Sequence, residues 1–449
     1  MKSINPYDLS LLGEYPEWTE AQVAEAIALS HQAFLQWRRR VLDDRLRKIA
    51  RLGALLRRDK EPIARLMSQE MGKVIQESLS EVEKSARLCD YYVEHAPLFL
   101  AARHVKTEMR KSYVAYQPLG SILAVMPWNF PLWQVMRAAV PALAAGNVML
   151  LKHASNVQGT ALMIEKLFLQ AGFPVGVFKT LVIGARRVAD VLKAPTVAGV
   201  ALTGSEKAGA AVASIAGSHI KRQVLELGGS DPFIVMDDAD LKAAANVAVA
   251  SRFLNTGQSC IAAKRFIVHA TVHDDFLSEV EARLKRKRIG DPLADDTEIG
   301  PMARLDLADT LESQLRRGLD EGAELVTGGE RDRCLFEPTL VTLSKPDNAL
   351  LQEEVFGPLM PVVRFETDEE AIRMANDTRF GLGGSVWTKD LEKGEHLALQ
   401  IEAGSVFVNG LVRSDPRLPF GGIKDSGYGR ELSEEGIREF VNVKTVVID

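Results

Sequence analysis

The spacing of apolar positions divides the chain into two rhythms. Between residues 19 and about 97 they recur every three or four places, the period of an amphipathic helix: Val23, Ile27, Phe34 and Trp37, then Leu46, Ile49, Leu52 and Leu56 with charges between. Thr19 followed by Gln22 predicts a capping box where the first helix begins. Residues 111–117 alternate instead, as a half-exposed strand does. From Gly120 short apolar runs (121–126, 147–151, 178–183, 200–203 and 223–227) alternate with helix-length segments at 131–144, 156–171, 187–193 and 206–217. Strand and helix in alternation predict a parallel sheet covered on both faces, which binds ligands at the carboxyl ends of its strands.

A second α/β pattern begins after Asp231. It has strand-like runs at 233–236, 265–269, 361–365 and 405–408, with helices predicted at 272–288, 367–376 and 394–402. The alternating tail, 441–448, needs a partner edge, and so does the strand near 111–117. The two are expected to share an oligomerisation flap, in a homodimer or tetramer.

Composition narrows the class. The chain has 449 residues, 46% hydrophobic and 26% charged, with a formal net charge of −5, so it suits two or three globular domains and gives no footprint for nucleic acid. The basic runs 38–40 and 285–288 close helical patterns, where cations suit the helix dipole. Three scattered cysteines (Cys89, Cys260, Cys334) with no CxxC pair argue against a disulfide framework or a thiolate zinc site and predict a reducing cytoplasm. The start of the chain shows no signal segment, and no apolar run reaches membrane-spanning length, so no membrane partner is expected.

The candidate chemistry gathers at predicted strand ends. Pro127-Trp128-Asn129-Phe130-Pro131 follows the first parallel strand and Lys152 the second. Gly204-Ser205 opens a helix after the fourth, with backbone N–H groups able to receive a phosphate, although the run is not a GxGxxG fingerprint. Glu226-Leu227-Gly228-Gly229 closes the fifth, and Cys260 follows a polar loop, Asn255-Thr256-Gly257-Gln258-Ser259. A thiol so presented can be a nucleophile, but a lone cysteine is equally at home as a small core residue.

In order, PWNFP, E-L-G-G, G-Q-x-C, E-E-x-F-G-P (353–358) and P-F-G-G (419–422), with Cys260 34 residues after Glu226, resemble the NAD(P)-dependent aldehyde dehydrogenase superfamily from about residue 15 onward. The resemblance implies an α/β fold with a Rossmann-type parallel-sheet cofactor domain (1–104 and 119–229), an α/β catalytic domain (230–430) and a small β oligomerisation flap (105–118 and 431–449). It implies that Cys260 attacks an aldehyde carbonyl, that the Asn129 amide and the Cys260 N–H hold the oxyanion, and that Glu226 activates the water that releases the acid. It implies a dinucleotide held by Pro127, Trp128, Lys152, Ser155, Gly204, Ser205, Leu227, Gly228, Glu354 and Phe356.

Many NAD-preferring relatives carry an acidic residue three places after the lysine; here Ser155 stands there. Serine removes a carboxylate that would repel a 2′-phosphate, so NADP is expected to be preferred and NAD accepted. Arg137 stands where many relatives have an aromatic residue and where succinate-semialdehyde dehydrogenases are similar, since a guanidinium can grip a distal carboxylate. Phe130, Trp133 and Ser414 would complete the substrate wall. Leu254 departs from the second arginine of the animal enzymes, which leaves glutarate semialdehyde and aliphatic aldehydes open, and Ala262 replaces their second loop cysteine. Two other readings are a non-catalytic protein on the same fold and a papain-like hydrolase. The intact Cys260 and Glu226 oppose the first, and the lack of a matching histidine opposes the second.

Overall fold

A computed structural model describes all residues, 1–449. A short hairpin, β1 (Lys2–Ile4) and β2 (Leu11–Glu14), precedes four helices: α1 (Glu20–Trp37), α2 (Leu42–Arg58), α3 (Lys60–Met71) and α4 (Ile75–Phe99). Helix α1 opens on the predicted capping box, with Thr19 Oγ1 accepting from Gln22 N and Gln22 Oε1 from Thr19 N. Its buried face ends at Trp37, whose indole N–H donates to Leu143 O at 3.1 Å. The first basic run directly follows α1, with Arg38 as its cap residue.

After β3 (Arg103–Val105) and β4 (Lys111–Pro118) comes the alternating unit: β5 (Ser121–Met126), α5 (Trp133–Ala145), β6 (Val148–His153), α6 (Gln158–Gln170), β7 (Phe178–Thr180), α7 (Val188–Lys193), β8 (Val197–Thr203), α8 (Glu206–Ser218) and β9 (Arg222–Glu226). Its five strands run parallel in the order β9-β8-β5-β6-β7, and Gly427–Tyr428 adds an antiparallel sixth beside β9. The third strand is shorter than the expected 178–183. Leu181 N still reaches Leu151 O at 2.7 Å, but the ladder stops there.

The second half builds a seven-stranded sheet on β10 (Asp231–Val235) and β11 (Ala263–His269), separated by α9 (Leu241–Phe253) and followed by α10 (His273–Leu284). The expected helix 272–288 ends early, because 285–288 turn back to bond with 296–299. The helix Leu305–Asp320 and the strands Glu324–Thr327, Thr339–Leu343 and Gly383–Trp387 belong to this unit and were not read from the sequence. No helix is long and apolar enough to cross a membrane.

The tail strand Val441–Ile448 pairs antiparallel with β4 over its whole length, and β3 covers the other edge of β4. The two unpartnered strands of the sequence are therefore each other's partner. Asn147 ties this small sheet to the parallel one. Its Oδ1 accepts from Leu119 N and Gly120 N, its Nδ2 donates to Phe440 O, and the residue is fully buried. Removing the amide in Asn147→Ala strands three backbone groups, two of them buried. We expect a destabilisation of about 2–4 kcal/mol, read as a lower urea midpoint, with full recovery only where the amide is restored.

Candidate active site

The loop that carries Cys260 is held in a conformation that side chains rarely adopt. Asn255 and Thr256 have φ of 53° and 56° in the left-handed region, where each non-glycine residue costs about 1–3 kcal/mol. The surroundings over-determine it. Glu77 on α4 accepts from Asn255 N at 2.8 Å, the Asn255 amide donates to Asn129 O at 2.7 Å, and Thr256 Oγ1 donates to Gly300 O at 3.1 Å. Gly257 is also left-handed, and a Cβ there would collide with the Gly357 carbonyl. Beneath the loop the Lys264 ammonium donates to Ser259 O at 2.9 Å and Cys260 O at 2.8 Å. Arg252 binds the carbonyls of Val355, Gly357 and Leu359, fastening the 353–358 loop to α9.

Asn129 enters from the end of β5. Its Oδ1 accepts from Gln134 Nε2 at 3.2 Å, which turns its Nδ2 toward the thiol loop, where it donates to Gln258 O at 3.0 Å. The Cys260 backbone N–H donates to no protein acceptor. Helix α5 is seated by a buried carboxylate: Glu81 Oε1 accepts from both Leu132 N and Trp133 N at 2.9 Å, and its other oxygen pairs with Lys73. An anion at a helix start is favoured by the dipole and meets N–H groups the helix leaves free.

Two cavities meet at Cys260. One, of about 350 Å³, is lined by Pro127, Trp128, Asn129 and Gly204 with Ser205, Leu227, Gly228, Glu354 and Phe356. Ser205 caps α8 at its rim, accepting from Ala208 N at 3.4 Å. Glu354 is fixed by Gly229 N at 3.0 Å, and its carboxylate lies so close over Gly228 that a Cβ there would come within 2.7 Å. A Cβ at Gly229 would meet Cys260 O at 2.8 Å, so both glycines of E-L-G-G are required by close approach. Lys152 and Ser155 do not line this cleft. Lys152 falls inside β6 rather than after it, and Ser155 is exposed at the head of the turn leading to α6.

The other cavity, of about 90 Å³, brings Phe130, Trp133, Arg137, Leu254 and Ser414 to the opposite side of Cys260. Arg137 is not free there. Its Nε lies against the Glu431 carboxylate in an ion pair of poor hydrogen-bond angle, Nη2 donates to Thr203 Oγ1 at 3.4 Å, and the guanidinium stacks on Phe420 at 4.6 Å. Nη1 has no protein acceptor. Glu226 lines neither cavity. It lies behind them, 2% exposed, with both carboxylate oxygens unpartnered, and a Cβ at Gly421 would meet one of them at 2.8 Å.

Burial dominates the electrostatics. It pushes the Cys260 thiol up to about 11, with Arg137 and Lys264 pulling the other way. It holds the Glu226 carboxyl well above the usual range, opposed by Arg137 and reinforced by Glu431. Glu431 is raised for the same reason and relieved by the same arginine. Sequence reading missed Glu431, Glu77, Glu81, Lys84, Lys264 and Arg252. The only signal for the α4 residues was a polar stripe, Glu77, Glu81 and Lys84, at helical spacing.

Residues 1–446 match the aldehyde dehydrogenase family. The chain is 47% identical over 452 residues to succinate-semialdehyde dehydrogenase [NADP(+)] 1 of Mycobacterium tuberculosis (strain H37Rv), covering 99% of each. It is 44% identical over 448 residues to succinate semialdehyde dehydrogenase [NAD(P)+] Sad of Escherichia coli (strain K12), covering 99% of this chain and 97% of that protein. Among solved structures, succinic semialdehyde dehydrogenase from Streptococcus pyogenes in complex with NADP+ superposes with a TM-score of 0.97 at 38% identity, covering 100% of this chain and 99% of that one.

A thiol held protonated by burial reacts slowly until base removes the proton. Iodoacetamide should therefore alkylate Cys260 of the free protein about tenfold faster per pH unit from neutrality to pH 10, without a plateau. Peptide mapping separates it from the buried Cys89 and Cys334. A plateau below about pH 9 would show a thiolate stabilised beyond what this geometry provides.

Proposed function

The chain belongs to the aldehyde dehydrogenase family, and on that premise we propose that it oxidises succinic semialdehyde to succinate, with NADP as the preferred acceptor and NAD also used. The observation that carries this reading is the position of Cys260, shared by a glycine-lined cleft on one side and a small cavity with a cationic wall on the other.

The Cys260 thiol loses its proton to solvent in the cleft, the resulting thiolate adds to the aldehyde carbonyl, and the negative charge that develops on oxygen meets the Asn129 amide and the Cys260 N–H, donors already oriented before substrate arrives. Such a donor contributes about 3–4 kcal/mol to a transition state. When bound, the dinucleotide supplies the hydride acceptor. The cleft suits it: Ser205 opens α8 for a phosphate, Leu227 and Gly228 leave room for a ring, and Glu354 with Phe356 and Trp128 would hold the nicotinamide end. Lys152 and Ser155 would hold the adenosine ribose and its 2′-phosphate.

The acyl group left on sulfur is released by water. Glu226 takes the water's proton, and its unpartnered oxygens are the acceptors for it. It does so as the carboxylate, the form that burial disfavours. Water entering the cavity lessens that burial, and Arg137 favours the ionised form. On the opposite wall Nη1 of Arg137 and the Ser414 hydroxyl would take the substrate's distal carboxylate, with Phe130 and Trp133 packing along its carbons.

The unit 1–104 with 119–229 would carry the dinucleotide, 230–430 the chemistry, and 105–118 with 431–449 the contacts of a homodimer or tetramer. Three unpaired thiols suit a reducing cytoplasm.

Cys260→Ser should abolish dinucleotide reduction. Glu226→Gln should keep a single stoichiometric burst of reduced dinucleotide, while steady turnover drops about 100-fold or more. No burst in Glu226→Gln would remove the glutamate from the release step. For the cofactor, wild type should turn over faster with NADP than with NAD at equal concentration, and Ser155→Glu should reverse the order. Turnover with NADP under about a tenth of that with NAD would reject the preference.

A further inference from the structure

Helix α4 turns three ionisable side chains toward the site, and two of them are fully engaged. Glu77 holds Asn255 N, and Glu81 holds Lys73 and the start of α5. The third, Lys84, has no carboxylate within ion-pair distance. Its ammonium sits 4.2 Å over the Trp133 ring and donates to Ser414 Oγ at 2.7 Å. Asp415, the next residue, is taken up by Arg417 through contacts of 2.6 and 2.9 Å.

Lys84 lies at the junction of two spaces. It borders the 90 Å³ cavity that reaches Cys260, and it borders an outer vestibule of about 730 Å³ whose wall includes Lys60, Arg87, Arg413 and Arg417. A half-buried ammonium with an aromatic ring on one side gains from an anion that completes its shell. The neighbouring cation, Arg137, already offsets Glu431 and acts on Glu226 as well. On the loop itself Leu254 faces the same cavity and supplies no charge.

We propose that Lys84, with Ser414, is a specificity-determining anchor for the distal carboxylate of the substrate, a second cation from α4 on the cavity that Arg137 also lines. This rests on the reading of the cavity as a semialdehyde site. The ring of Trp133 covers one side of the ammonium, and the Ser414 oxygen accepts one of its three hydrogens. The carboxylate would complete the shell from the cavity side. The vestibule, richer in cations than in Glu83 and Asp415, concentrates anionic substrate at the entrance.

Burial, with Arg137 nearby, pulls Lys84 down to about 8, while Glu81 on the same helix, Asp415 on the facing loop and Cys260 raise it. The ammonium is thus present below pH 8 and lost above it, and a bound carboxylate holds the proton longer.

The test compares KM and kcat for succinic semialdehyde and pentanal, with saturating NADP, in wild type, Lys84→Met and Lys84→Arg. Lys84→Met should raise KM for succinic semialdehyde about 10- to 100-fold, the range of a charge-assisted hydrogen bond, with kcat changed little. KM for pentanal should stay within about twofold, which also reports that the variant is folded. Lys84→Arg should recover most of the loss. In wild type, KM for succinic semialdehyde should climb above pH 8, a rise absent from the methionine variant. An unchanged KM for succinic semialdehyde, or equal losses for both aldehydes, overturns the assignment of Lys84. A wild type that does not prefer succinic semialdehyde over pentanal instead rejects the semialdehyde reading, and the anchor falls with it.

Discussion

One guanidinium answers for three acidic groups in the interior of this protein. Arg137 lowers the proton affinity of Cys260, Glu226 and Glu431 together, yet touches only the last. Burial outweighs its help at each of them, so all three hold their protons more tightly than the same groups do in water. Glu226 stands with both oxygens bare, and with no hydrogen bond to offset it burial raises its proton affinity. That dominance of burial also makes the reactive groups depend on what enters the cavity, as each charged or polar arrival changes the balance among them.

The framework around them works through backbone capture. Lys264 and Arg252 donate to carbonyls of the two loops that face each other across the cleft, while Glu77 accepts from an N–H of the same Cys260 loop and Glu81 from those at the start of α5. Buried charges used this way meet rigid main-chain dipoles rather than mobile partners. The left-handed turn at Asn255 and Thr256 persists because it is held from three sides, and the thiol's direction follows from that turn.

Much of the fold was legible because its periods are local. The five parallel strands, the helices between them and the Thr19 capping box are written in short-range spacing. The motifs marked Cys260, Asn129, Gly228 and Glu354 for the same reason: each sits at a strand end or a tight turn that its neighbours dictate. The unread parts are those whose meaning lies in a distant partner. Lys84, Glu81 and Lys264 look like ordinary surface charges until the fold delivers a backbone group or a cavity to them. The helix Leu305–Asp320 is dense in charge and the unread strands after it are only four or five residues long, and Arg137 was expected to face a substrate carboxylate because its partner Glu431 is remote in sequence.

The link through Asn147 has a temporal side. The carbonyl it binds, on Phe440, is 293 residues further along the chain, and the strand that follows is the one that covers β4. A nascent chain at about 5–20 residues per second would expose β4 for many seconds before its partner is synthesised. Through that interval the edge of β4 is an open invitation to other strands, so the demand on chaperoning falls during translation, while the segments that carry Asn129, Cys260 and Glu354 are still emerging.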